Sequence, residues 1–292
     1  MIIVKLQGGL GNQMFQYAFA AIFAKKNSTK IYIDKTFFSR KKKIGFTPRN
    51  FELHVFNNTY HEASKKQLSL FYKLSFLSRI KKRLNVNYPK TFNETFFGFN
   101  KLALNIKPPV YLNGYFQSHL YFSGFEPMIK DLFLFSTDSL DVLNKDLLVK
   151  IKNTNTISVH IRRGDYVEDK VTQEFHGCCS LEYYFNAIKI LTGLYKDYTL
   201  VFFSDDGDWV KEQFESLTHS KIFVDNNKGE NSWKDMMLMS SCTHNIIANS
   251  SFSWWAAWLN ENSEKTVVVP KKWFASSNLD TKELLPDEWI KL

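Results

Sequence analysis

Disulfide chemistry is what this chain is least equipped for. Its 292 residues include three cysteines, Cys178, Cys179 and Cys242. An odd count with two adjacent members supports no disulfide framework, and no zinc-ligand spacing surrounds them. A reducing compartment is the expectation. No apolar run approaches the ~20 residues needed to span a bilayer. Met1–Leu6 reads as a strand, because no basic segment precedes a long apolar core as in a secretory signal. These exclusions predict a soluble, cytoplasmic protein, at most peripheral to the inner face of a membrane. No internal repeat or low-complexity tract is visible. Two phosphate-binding signatures are also missing. The glycines of Gly8-Gly9-Leu10-Gly11 are not spaced Gly-x-Gly-x-x-Gly, and no Gly-Lys-Ser/Thr follows.

Acidic residues are in short supply too. Lys and Arg total 38 against 29 Asp and Glu, a formal charge of +9 that suits an anionic ligand or surface. The basic residues gather in Arg40-Lys41-Lys42-Lys43 and Lys81-Lys82-Arg83. Each run is either a solvated face or a weak attraction to anionic headgroups. What the chain has in plenty is apolar material, 44% of residues, with 27 phenylalanines, enough for a full core.

The first half opens as strand, Gly-rich turn, helix and strand: Ile2–Leu6, the turn Gln7–Gln13, Met14–Lys26 with Phe15, Phe19, Ile22 and Phe23 on one face, and Ile31–Asp34. That unit predicts parallel pairing. Residues 36–105 are the least periodic, with one helix expected over Leu68–Leu84. A strand over Val110–Phe116 and a helix over Ser139–Lys152 follow. The polar stretch Lys152-Asn153-Thr154-Asn155 marks the expected domain boundary, 1–152 and 153–292.

The second half alternates. Strands are expected at Thr156–Arg162, Thr199–Ser204, Lys221–Val224, His244–Ala248 and Thr266–Val269. Helices are expected at Leu181–Leu194, Asp208–Phe214, Ser232–Ser241 and Phe252–Asn260. Ser232 with Asp235 has the spacing of a capping box. Alternation of this kind predicts a Rossmann-like parallel sheet, whose ligands sit at the C-terminal strand ends.

Three of those ends carry polar groups. The first is His160-Ile161-Arg162-Arg163-Gly164-Asp165, where period-2 alternation puts His160 and Arg162 on one face. Two adjacent guanidiniums need an anion or carboxylate beside them, and arginine forks match phosphate oxygens. Asp165 could neutralise one of them, which leaves a structural pair as the competing explanation. The second is Ser204-Asp205-Asp206. Asp206-Gly207-Asp208 spells Asp-x-Asp, a metal pattern in some glycosyltransferases, but hydrogen bonding by Asp205 or Asp206 and capping by Asp208 fit better. The third is Asn249-Ser250-Ser251 before Phe252–Leu259, where serine hydroxyls and free N–H groups at a helix start either cap it or bind an anion. His176 lies in an expected loop, as an acid/base or a plain loop residue.

Taken together, five segments resemble the alpha-1,2-fucosyltransferases of glycosyltransferase family 11. They are Gly8–Ala18, Gly114-Tyr115-Phe116-Gln117-Ser118, His160–Tyr166, Phe203-Ser204-Asp205-Asp206 and Asn249–Trp258. The resemblance implies an α/β, GT-B fold, two Rossmann-like domains facing a cleft. It implies an inverting transfer of fucose from GDP-fucose to the 2-hydroxyl of a terminal galactose, with no metal required and no cofactor beyond the donor. Arg162 would hold the β-phosphate, supported by Arg163 and Asp165. His160, Ser204, Asp205, Asp206, Asn249, Ser250 and Ser251 would complete the donor site in the C-terminal domain. Asn12 would act near the transferring sugar, and Tyr115 and Gln117 would meet the acceptor on the N-terminal side. The base is open: a relative that modifies N-glycan cores has a glutamate base where Lys170 stands here, so that role does not carry over, leaving Glu168, Asp169, Glu174 and His176. Two rivals remain at this level, a GDP-fucose transferase of another linkage and a basic nucleic-acid-binding module. The second is disfavoured because the lysine runs lie apart from the strand-end motifs.

Overall fold

The computed structural model describes every residue except 40–48, 59, 73–75, 85–87, 165–172, 176, 276–278 and 280. The Arg40–Lys43 run, Asp165, Glu168, Asp169, Lys170 and His176 therefore lie outside the described residues.

The chain forms two compact units, Met1–Leu134 with Asp280–Leu284, and Phe135–Leu279 with Leu285–Leu292. The sequence placed the division after Lys152. In the structure the helix Val142–Asn153 belongs with the second unit, where Asn144 and Asn227 exchange amide bonds at 2.9 and 2.8 Å and Lys234 pairs with Asp141 at 2.8 Å.

The first unit holds strands β1 (Ile2–Lys5), β2 (Ile31–Asp34), β3 (Lys90–Asn93) and β4 (Val110–Asn113), and helices α1 (Leu10–Lys26), α2 (Lys65–Tyr72), α3 (Phe76–Arg83) and α4 (Glu126–Leu132). Its sheet runs β2-β1-β4-β3, all parallel. Helix α1 starts four residues earlier than expected and is buried on all sides through Ala24, not on one face. Small residues at Gly11, Ala18, Ala20 and Ala21 let neighbours close in around it. The expected helix over Leu68–Leu84 is two shorter ones, α2 and α3.

The second unit holds α5 (Val142–Asn153), β5 (Asn155–Ile161), α6 (Leu181–Leu194), β6 (Tyr198–Ser204), α7 (Gly207–Phe214), β7 (Lys221–Val224), α8 (Trp233–Ser240), β8 (His244–Ile246), α9 (Ser251–Leu259), β9 (Val267–Val269) and β10 (Ile290–Lys291). Its sheet runs β10-β9-β8-β5-β6-β7, again all parallel. Counted from β5, this is the doubly wound order 3-2-1-4-5-6, with the reversal between β5 and β8. Strand β5 is buried on both faces after its first residue, as a strand covered by helices on both sides must be. The core on one face joins Ile157, Val159 and Ile161 to Tyr184, Ile188 and Phe214.

Two capping expectations fail here. Ser232 makes no side-chain cap, because the chain enters α8 from a 3-10 turn and its N–H bonds Gly229 O at 3.1 Å. Asp235 turns inward and accepts from Asn227 Nδ2 at 2.7 Å. Asp208 is inside α7; the N-cap position is Asp206, without a side-chain cap.

Candidate active site

The arginine cluster stands at the strand-order reversal of the second unit, just past the end of β5. Arg162 Nη1 meets Asp205 Oδ2 at 2.5 Å, and its side chain keeps 21% exposure. The other oxygen of Asp205 accepts the Arg163 backbone N–H at 2.9 Å. One carboxylate at the end of β6 thus fixes both the direction of the Arg162 side chain and the path of the chain behind it. Gly164 permits this approach, since a Cβ there would fall 2.7 Å from Asp205 Oδ2. Arg163 lies flat over the Trp209 ring, 3.7 Å from its centroid, while its Nε donates to Asp206 Oδ2 at 3.1 Å. Stacking and pairing hold Arg163 as a wall of the site. Ser204 Oγ accepts the Asp206 N–H at 3.0 Å and shapes the same turn.

His160 lies under this surface, 6% exposed, with its Nδ1 lacking a hydrogen-bond partner in the structure. Burial pushes its pKa down to about 4, aided by Arg162 and opposed by Asp205. The imidazole is therefore neutral at physiological pH, with a nitrogen unspent on the protein.

On the other side of the reversal, β8 leads into α9. Ser250 is the N-cap, its Oγ accepting the Phe252 N–H at 3.3 Å. Ser251 begins the helix, whose other first-turn N–H groups make an anion-favouring end. Trp254 and Trp255 are wholly buried and anchor that helix. Asn249 is buried and binds the protein: its Nδ2 donates to Gly177 O at 3.0 Å and Trp273 O at 3.1 Å, and its Oδ1 accepts from Cys179 Sγ at 3.4 Å. It braces the loop beside the site. Burial pushes the Cys179 thiol up to about 11, which removes it as a nucleophile at neutral pH.

The first unit has its own reversal, between β1 and β4. Asn12, in the first turn of α1, accepts from Gln117 Nε2 at 2.7 Å. Gly8 makes room for it: φ is +80°, and a Cβ would fall 2.4 Å from Asn12 Nδ2. After β4 the chain turns through Phe116, buried and at φ 53°, a strained backbone for a bulky residue. Glu94, at the end of β3, holds that turn by accepting the N–H groups of Tyr115 at 2.6 Å and Phe116 at 3.1 Å. The Tyr115 side chain remains 40% exposed. Burial pushes the Glu94 carboxyl up, and the two N–H bonds oppose that rise. Glu52 faces the start of α1, where it accepts from Leu10 N–H beside Arg49; burial raises its pKa as well.

The structure thus brings together His160, Arg162, Arg163, Ser204, Asp205 and Asp206 around β5 and β6, and separately Asn12 with Gln117. Glu174, offered as a base, is exposed on a helical turn. Sequence reasoning missed Glu94 and Glu52. Both lie in the least periodic stretch, where only pairing with distant segments reveals their place. Among the described residues no group of three His, Cys, Asp or Glu side chains is disposed to hold a metal ion.

A family model for glycosyl transferase family 11 matches residues 1–292. The chain belongs to that family. It is a glycosyltransferase, so the nucleic-acid-binding rival falls. This family 11 enzyme is 37% identical to the O-antigen biosynthesis glycosyltransferase WbnK of Escherichia coli, over 98% of this chain and 99% of that one. It is 32% identical to an alpha-1,2-colitosyltransferase of Escherichia coli, over 100% and 99%. Among solved structures, POFUT1 in complex with GDP superposes with a TM-score of 0.51 at 14% identity, covering 91% of this chain and 97% of that one. That likeness and the two parallel sheets give the family 11 enzyme its α/β, GT-B-like fold class.

Proposed function

We propose that this enzyme transfers L-fucose from GDP-fucose to the 2-hydroxyl of a terminal galactose, with inversion, during synthesis of a surface polysaccharide. The carrying observation is the partly exposed Arg162, aimed by Asp205 at a strand-order reversal that also presents the α9 N-terminus. Breaking the bond between fucose C1 and the diphosphate leaves negative charge on GDP. A guanidinium already held in place, with helix N–H groups nearby, stabilises that charge without reorganising. The acceptor oxygen bonds to C1 from the opposite side and gives its proton to a base. Neutral His160 lends its unspent nitrogen to the nucleotide. Ser250, Ser251, Ser204 and Asp206 line the donor site, with Arg163 as its wall.

Acceptor binding belongs in this reading to Asn12, Gln117 and Tyr115, whose amides and ring suit a sugar's hydroxyls and apolar face. The α-1,2 linkage draws support from the full-length colitosyltransferase relative, and a polysaccharide product from the O-antigen relative. The same colitosyltransferase relative favours a second reading. Colitose is fucose without its 3-hydroxyl, so the donor sugar would be that deoxy form.

One assay tests both. GDP-fucose and its 3-deoxy counterpart compete for galactose-ended acceptors, with and without EDTA, and product linkage is determined. The expected result is a 2-linked fucosyl product, unchanged by EDTA. Preference for the deoxy donor selects the second reading, a different linkage overturns the acceptor assignment, and full loss with EDTA restores a metal role for Asp206–Asp208.

A further inference from the structure

The mechanism leaves unused the most lopsided stretch of the chain. Between Glu62 and Glu94 the sequence carries eight Lys or Arg and no Asp or Glu. It contains α2 and α3. Helix α2 is seated: Leu68 and Phe71 pack against Ile3 and Tyr111 of the first-unit sheet. Its Lys65, Lys66 and Leu70 face solvent.

Helix α3 is different. From Arg79 onward every side chain is exposed, including Ile80 at 41%, and Leu84 just past its end at 66%. The helical bond from Leu84 N–H to Ile80 O, 3.0 Å, keeps these two on one face. At 100° per residue, Arg79 and Arg83 flank that face on one side and Lys81 on the other. None of Arg79, Lys81, Lys82 and Arg83 forms an ion pair among the described residues. A helix of eight residues is too short to be stable on local bonds alone, and its described side chains from Arg79 onward bury nothing.

An apolar pair rimmed by unpaired cations fits an anionic lipid surface. The aliphatic groups enter the headgroup boundary while the basic side chains reach the phosphates. A nucleic acid would pair with the cations but offer nothing to Ile80 and Leu84, since it rewards aromatic platforms over aliphatic ones. We infer that α3 docks the first unit on a membrane of anionic phospholipid. Such docking goes beyond the proposed transfer reaction and involves neither donor nor acceptor.

Flotation of the full-length enzyme tests it, using vesicles of phosphatidylcholine alone and of equal parts phosphatidylcholine and phosphatidylglycerol, at low and high salt. Binding is expected only to the anionic vesicles, and weakens with salt. Each basic residue near such a surface contributes about a fivefold change in partitioning, so removing three costs on the order of 100-fold and the charge reversal K81E/K82E/R83E loses at least that. I80S/L84S loses about tenfold or more and keeps the salt dependence of what remains. Turnover of a soluble acceptor by both variants verifies that they fold. Absence of flotation with anionic vesicles overturns the inference, as does unchanged flotation of either folded variant. Duplex DNA binding that depends on the three cations but ignores I80S/L84S, with no vesicle binding, reassigns the surface to nucleic acid.

Discussion

The two strand-order reversals share a topology and differ in their polar equipment. At the β5–β8 reversal the groups are charged: Arg162 and Arg163 set by Asp205 and Asp206, with a capped helix N-terminus beside them. At the β1–β4 reversal they are amides and a partly buried carboxylate: Asn12 with Gln117, and Glu94 beneath the Tyr115 turn. A departing diphosphate needs fixed positive charge, whereas a sugar hydroxyl needs directed neutral partners. The fold offers the same kind of open strand edge twice, and under the proposed reaction the side chains suit the two edges to different ligands.

Three substitutions break or sharpen that contrast, and a fourth tests stability. Arg162→Ala is the largest: turnover falls on the order of 100–1,000-fold while circular dichroism is unchanged. Near-normal turnover would remove the charged reversal from the chemistry. Asp205→Asn keeps an acceptor for the Arg163 N–H but frees Arg162. Mispositioning costs at most on the order of 100-fold, with Arg162 still present. Its mark is a donor KM that rises while the acceptor KM holds.

Glu94→Gln is the counterpart in the first unit. It trades charge-assisted bonds to the Tyr115 and Phe116 N–H groups for weaker ones, worth about 1–2 kcal/mol, so acceptor KM rises about tenfold. Donor hydrolysis in the absence of acceptor stays at its original rate. A parallel rise in donor KM would erase the division of labour between the two reversals.

Asp235→Asn has the smallest effect and touches stability alone. Burial pushes the Asp235 carboxyl from 3.8 up to about 7. Between those values the folded state holds a proton that the unfolded chain has released, so stability falls as pH rises through the window. The amide retains an acceptor for Asn227 and cannot ionise. Tm at about pH 8 is expected to rise by roughly 2 °C, with little change near pH 4. A drop in Tm at the higher pH would mean that the ionised carboxylate is stabilising.

Much of the second unit was legible because local and global signals agree there. β7 falls where the sequence puts it, and β5 and β6 shift by a single residue at one end or both. The strand-end motifs could be read because a parallel sheet always places them on one edge. Strands β3 and β10 were missed. β3 is mostly exposed and alternates with polar residues in a stretch of weak periodicity, and β10 is two residues long. Their identity as strands comes from their neighbours, β4 and β9.

By itself the sequence determined the family, the parallel α/β class and the arginine cluster at a strand end, since these depend on residue types at short spacings. Tertiary structure alone decided the partners: Asp205 as the group that aims Arg162, Asn249 as a brace, and Glu94 as the support of a strained turn. Each joins segments at least 21 residues apart, and hydrogen bonds of that range leave no trace in local periodicity. It also decided that α5 goes with the second unit, because the buried Asn144–Asn227 bonds hold it there.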